Sequence, residues 1–264
     1  MKNKLGGILA AVAAIIGIIG HFVLFFQWYQ VGMHAESAEP GCEILLKTIH
    51  PLLANLGLLG AAMFAVSSYG FFTKRRWAFT LSVVGIIAAL LASFFINIPF
   101  MAASLPPVYF ALFLPYLLIY FLIMITVAGR SWSRTLLALL TGIAYIVCWM
   151  NGVSSTSRII TVGADIFVLV QMLHWVAMAG WAVVTAGILI QPKEWQRVLG
   201  LVSGVLELFV GIPLAAVTAQ QLGRFSLFAL APIVCLILVI LLVWPGKWKK
   251  WTSTAPTTQA EQIS

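Results

Sequence analysis

Glu207 lies ten residues beyond Arg197, in an apolar run from Val198 to Ala219 that carries no other acid. At 1.5 Å of rise per helical residue, that places its carboxyl about 15 Å inside a membrane. No Lys or Arg falls at its depth, so the sequence predicts an unpaired intramembrane carboxyl that holds its proton at neutral pH. A proton-coupled carrier uses such a group. The plainer alternative is a neutral acid hydrogen-bonded to a backbone carbonyl.

Three histidines and one amide join it as candidates. His50, in Ile49-His-Pro, and His174, in Leu173-His-Trp, fall at matching points near the outer ends of the second and sixth apolar runs. His21 and Asn151 match when counted from Lys4 and Arg134, each about 25 Å above its base. Histidine inside a lipid-embedded helix usually faces the bundle interior or water. Two of them at one depth could bracket a metal or haem iron, or form a proton-sensitive gate. No HxxxH spacing supports a metal site, and His50 before a proline could simply cap its helix in the headgroup zone.

Other features are weaker. Pro115 and Pro232 each free a carbonyl four residues back, at Ala111 and Phe228, and in lipid such a group needs a partner or a water-lined recess. With the histidine layer they suggest a polar recess opening outward between the two halves of the chain, the alternative being ordinary packing kinks satisfied by neighbouring helices. Met33, His34, Glu36, Glu39, Cys42 and Glu43 fit no standard cation spacing and read as a solvated acidic loop. Cys42, Cys148 and Cys235 form no CxxC pair, though a Cys42 to Cys148 disulfide on the outer face stays open. Phosphate loops, nucleophile elbows, HExxH helices and dinucleotide fingerprints are absent, which argues against an enzyme of soluble type.

The elements that carry these residues follow from composition. Of 264 residues, 62% are apolar and 8% charged, too few polar groups to cover a water-soluble surface. Eight runs are long enough for a hydrocarbon core of about 30 Å: 5–29, 50–72, 78–98, 109–128, 135–153, 166–190, 198–219 and 226–244. Each must satisfy its own backbone, so all are expected to be helices. The first run exceeds a signal-peptide core of roughly 7–15 residues and reads as a retained span, with cleavage near Ala35 to Ala38 as the alternative.

Orientation follows from the bases. Twelve of the fifteen Lys and Arg residues fall on one side, leaving Lys47, Arg158 and Arg224 on the other. The positive-inside rule makes the richer side cytoplasmic and puts both ends there, and Trp77, Trp132, Trp195, Trp244 and Trp248 lie at the same ends. The net charge of +8 is thus a topology signal, with no patch suited to nucleic acid.

An internal repeat is also legible. Phe94-Phe-Ile-Asn-Ile-Pro99 matches Leu208-Phe-Val-Gly-Ile-Pro213, Phe110-Ala-Leu-Phe-Leu-Pro115 matches Phe228-Ala-Leu-Ala-Pro232, and Trp77 corresponds to Trp195. Residue Ser93 then stands opposite Glu207. The expectation is an all-α polytopic membrane bundle of two parallel four-helix repeats, 1–130 and 131–251, with a disordered cytoplasmic tail, 252–264. A multi-pass cell-membrane carrier of a small molecule or ion, without a cofactor, fits best. A haem- or metal-binding redox subunit using the outer histidines, and an assembly partner of another membrane protein, are the alternatives.

Overall fold

The computed structural model describes residues 2–36, 42–161, 163, 165–223 and 225–253. Among them every regular element is helical: α1 (Lys2–Glu36), α2 (Cys42–Phe72), α3 (Trp77–Phe95), α4 (Asn97–Ala102), α5 (Phe110–Leu122), α6 (Trp132–Thr161), α7 (Asp165–Ile190), α8 (Glu194–Leu222), α9 (Leu230–Leu242) and α10 (Pro245–Thr252). A π-helical turn, Ile123–Val127, extends α5, and a 3₁₀ turn, Leu227–Ala229, precedes α9. Seven helices are long and apolar enough to cross a membrane; the eighth is Leu227–Leu242, if counted together with α10, to which it is joined by a 94° bend.

These elements match the eight apolar runs with three differences, the first being that run 78–98 is interrupted at Ile96, between α3 and α4. The stretch read as an outer loop is largely helix, since α1 continues to Glu36 and α2 begins at Cys42. Met33, Ala35 and Glu36 at the end of α1, and Glu43, Leu45 and Leu46 at the start of α2, are good helix formers. Glu39 and the tail from 254 lie outside the described residues, as does Arg224. The lysines past Trp244 sit on a further helix, α10, which starts with proline at its first position, where a missing N–H costs nothing.

Each half closes on itself. Helix α1 packs on α2, α2 on α3, α3 on α5, and α5 returns to α1; α6, α7, α8 and α9 repeat the circuit. The halves meet where α2 and α3 face α6 and α7. Phe64, Tyr109, Tyr116 and Trp181 are wholly buried in the core, whereas Phe26, Leu169 and Phe209 point outward at 75%, 71% and 74% exposure. Such an outer surface, on helices long and apolar enough to span a bilayer, fits a multi-pass membrane protein.

Arginines close one end of the bundle. Arg134 donates from Nε to the Ile188 carbonyl at 2.6 Å and from Nη2 to Leu189 at 3.2 Å, while Arg130 reaches Ile190 at 3.0 Å. Arg197 donates to the Leu242 carbonyl at 2.8 Å. The last carbonyls of a helix have no partner within it and carry partial negative charge, so these cations satisfy the ends of α7 and α9.

Candidate functional site

Helix α8 presents Glu207 to the interior of its half, and Gly211 one turn later keeps the space clear. A Cβ on Gly211 would lie 2.8 Å from Glu207 Oε1 and 3.0 Å from Pro232 Cδ. The carboxyl is met from two other helices. His174 Nδ1 on α7 is 2.9 Å from Oε2, and Asn151 Nδ2 on α6 donates to Oε1 at 2.8 Å. All three side chains have zero exposure. The carboxyl that the sequence left without a partner therefore has two hydrogen-bond partners, a histidine and an amide from neighbouring helices, with no Lys or Arg beside it.

Asn151 also donates to the Phe228 carbonyl at 3.2 Å. That is the carbonyl Pro232 leaves without its helical donor, so a side-chain amide supplies the partner that the proline removes. Pro232 is the third residue of α9, in the first turn, where the helix tolerates it. One amide thus ties α6, α8 and the start of α9 together. Beside it, Cys148 Sγ on α6 is 3.9 Å from Cys235 Sγ on α9. Cys148 is free and buried, so it is not bridged to Cys42; its side chain points into its own half.

The first half holds a second polar cluster. His50 Nε2 is 2.6 Å from the Tyr109 hydroxyl, and Asn97 Oδ1 accepts from the Tyr109 backbone N–H at 3.0 Å. The same Asn97 amide donates to Ser93 and Phe94 carbonyls at 2.8 and 3.2 Å, repairing the break between α3 and α4. Phe25, Tyr29, Phe100 and Tyr109 surround the His50 ring edge-on, with centroids 5.1, 5.6, 5.5 and 5.5 Å away. His21 stands 6.2 Å from the Tyr109 ring and packs so closely on Gly57 that a Cβ there would collide with its Nε2.

Of the five sequence candidates, Glu207, His174 and Asn151 converge, while His21 and His50 lie in the other half with different partners. Tyr109 and Asn97 belong to these clusters without having stood out in the sequence, and Cys148 and Cys235, which the sequence did not bring together, meet beside the second. His34 Nδ1 bonds the Gln30 carbonyl at 2.8 Å on its own helix, and among the described residues no three His, Cys, Asp or Glu side chains are grouped to hold a metal.

The outward polar recess is not where the sequence suggested. The space between the halves is a cleft of about 280 Å³ with walls from α3, α5, α6 and α7, almost wholly apolar, and none of the five candidates lines it. The five candidates are buried within their own groups of helices, and the carbonyl that Pro232 frees at Phe228 is satisfied by the Asn151 side chain. No family model, curated protein or solved structure matches the chain.

Proposed function

We propose that this chain is a multi-pass cell-membrane carrier of a small molecule or ion, built as two four-helix repeats with both ends cytoplasmic, and that Glu207 with His174 is its proton-exchanging site. The observation that carries this reading is the carboxylate–imidazole contact buried among three spans. The duplication draws support from the matching circuits of helices, and from the placing of polar groups. His50, Asn97 and Tyr109, from α2, α4 and the residue before α5, are joined by hydrogen bonds beside His21 of α1 in the first half, as Asn151, His174, Glu207 and the Phe228 carbonyl are joined in the second.

The chemistry is simple. A carboxyl and an imidazole in contact share one proton when the pair is neutral and gain a second when it is positive. Adding that proton changes which Glu207 oxygen can accept from Asn151, and Asn151 also holds the start of α9. Proton number is thereby coupled to the packing of α6 against α8 and α9, and the halves, which meet across an apolar cleft, can rock about it.

The test uses proteoliposomes loaded with a pH-reporting dye. Under an imposed pH gradient, pools of ions and small metabolites added outside should release proton flux with the intact protein and none with Glu207→Gln. A Gln variant that matches the intact protein with an identified cargo sinks the assignment.

A redox-subunit reading has one observation in its favour: both ring nitrogens of His21 and Nδ1 of His50 are buried without a hydrogen-bond partner. A Soret band or stoichiometric metal in the purified protein would transfer the proposal to that class.

A further inference from the structure

The apolar cleft between the halves is built for a ligand that arrives through the bilayer. Leu90 and Phe94 of α3, Phe113 of α5, and Gly142 and Tyr145 of α6 line it, along with Thr185 of α7. Two features set it apart from a lipid-filled seam.

One is Gly142. Every other glycine within the spanning helices has a neighbouring atom at 3.2 Å or less from where its Cβ would be, so each allows a close approach. Gly142 has only Thr185 Cγ2, at 3.8 Å, an ordinary contact. Alanine would fit there and would favour the helix by roughly 1 kcal/mol, so packing does not explain the glycine. Its effect is to deepen the cleft.

The other is Tyr145, a half-buried residue of the wall whose hydroxyl is held by no hydrogen bond among the described residues. The remaining hydroxyls on the wall already donate, Tyr120 to the Thr135 carbonyl at 2.7 Å and Thr185 to Thr141 Oγ1 at 3.0 Å. Tyr145 lies thirteen residues past Trp132, about 20 Å up its helix, deep in hydrocarbon where an unpaired donor is costly. Phospholipid esters lie at the interface and do not reach that depth.

We infer that this cleft binds a lipid-soluble quinone, its flat ring seated against Phe94, Phe113 and Gly142 and a ring carbonyl accepting from Tyr145, with its apolar tail left in the bilayer. A volume of about 280 Å³ lies near the lower limit of small-molecule sites, enough for one ring and a short length of tail. This inference does not depend on the carrier reading.

The experiment uses the intact chain in nanodiscs of synthetic phosphatidylcholine, with a photoreactive decyl-benzoquinone as probe and decylbenzene as a carbonyl-free control. Labelling should saturate, map to α3 and α6 around Leu90 and Gly142, and be competed by unlabelled decyl-benzoquinone but not by decylbenzene. Tyr145→Phe, which keeps the ring and its packing, should weaken binding about three- to tenfold, the loss of one hydrogen bond. Gly142→Phe should abolish labelling, with Gly142→Ala as the folded control. Equal competition by decylbenzene with no effect of Tyr145→Phe would make the cleft a seat for lipid tails and overturn the proposal. A dimer in native mass spectrometry that Gly142→Phe converts to monomer, without labelling, would overturn it in favour of a second copy of the chain.

Discussion

The Nδ1 atom of His174 stands 2.9 Å from Oε2 of Glu207, and neither side chain has any surface open to solvent. Breaking a buried pair from one side leaves the other charge or dipole stranded, at a cost of roughly 3–5 kcal/mol. Glu207→Leu should therefore lower the thermal midpoint of the purified protein severely. Glu207→Gln, which keeps the shape and one acceptor for Asn151, should insert and fold with a much smaller loss. Circular dichroism melts in detergent decide it, and equal losses for Leu and Gln would show that the contact contributes little.

Coupling between residues distinguishes the two clusters. His174 and Glu207 touch, so a double-mutant cycle with His174→Gln and Glu207→Gln should depart from additivity by about 0.5–3 kcal/mol. His50 and His174 share no partner, since His50 bonds Tyr109 and His174 bonds Glu207. The sum of His50→Ala and His174→Ala should then equal the double variant to within about 0.5 kcal/mol. Strong non-additivity of the histidine pair would mean one site shared across the halves.

The arginine caps give a stability prediction. Arg134→Ala removes two charge-assisted hydrogen bonds to the end of α7 and should cost about 2–4 kcal/mol, read as an earlier midpoint in a sodium dodecyl sulfate titration. Arg134→Lys should recover only part, because one ammonium cannot hold the two carbonyls in the guanidinium's fork. Full recovery by lysine would reduce the interaction to simple charge.

Gly57 and Gly142 should behave oppositely. Gly57→Ala drives a methyl group into the His21 ring and should destabilise by about 1–3 kcal/mol, whereas Gly142→Ala should be neutral or stabilising. Parallel melts of the two variants measure this directly.

Orientation is testable by thiol labelling. In a Cys-free background, single cysteines at Arg75 and Glu194 should be shielded from an impermeant reagent added to intact cells, and one at Arg158 should react. Outside labelling at Arg75 would reverse the topology.

The spans were legible because lipid forces each apolar run to close its own hydrogen bonds, leaving helix as the one local solution. Glu207 was legible for a related reason, as a lone acid in hydrocarbon. Its partners were not. His174 and Asn151 are 33 and 56 residues away in sequence, and a helix apolar around its whole circumference gives no periodic signal of which face turns inward. Tyr109 was hidden for the opposite reason, since an aromatic within an apolar run has nothing to set it off, and the approach of Cys148 to Cys235, 87 residues apart, had no signal in their spacing. The interruption at Ile96, near the end of its span, was equally hidden, because the Asn97 side chain that bonds the Ser93 and Phe94 carbonyls gives no signal in sequence.

The helices differ greatly in length. The apolar part of helix α1, residues 5–29, is about 37 Å long. The final segment, Leu227–Leu242, offers only about 24 Å before the chain turns by 94° into α10 with its tryptophans and lysines. A bilayer of uniform thickness cannot match both walls. The lipid beside α9 must thin, or α9 must draw headgroups inward, and either response carries a free energy of fractions of a kcal/mol per ångström of hydrophobic mismatch. The resting tilt of the second half is thus set partly by acyl-chain length, and the protein should respond to a change from short-chain to long-chain lipid even when its sequence is untouched.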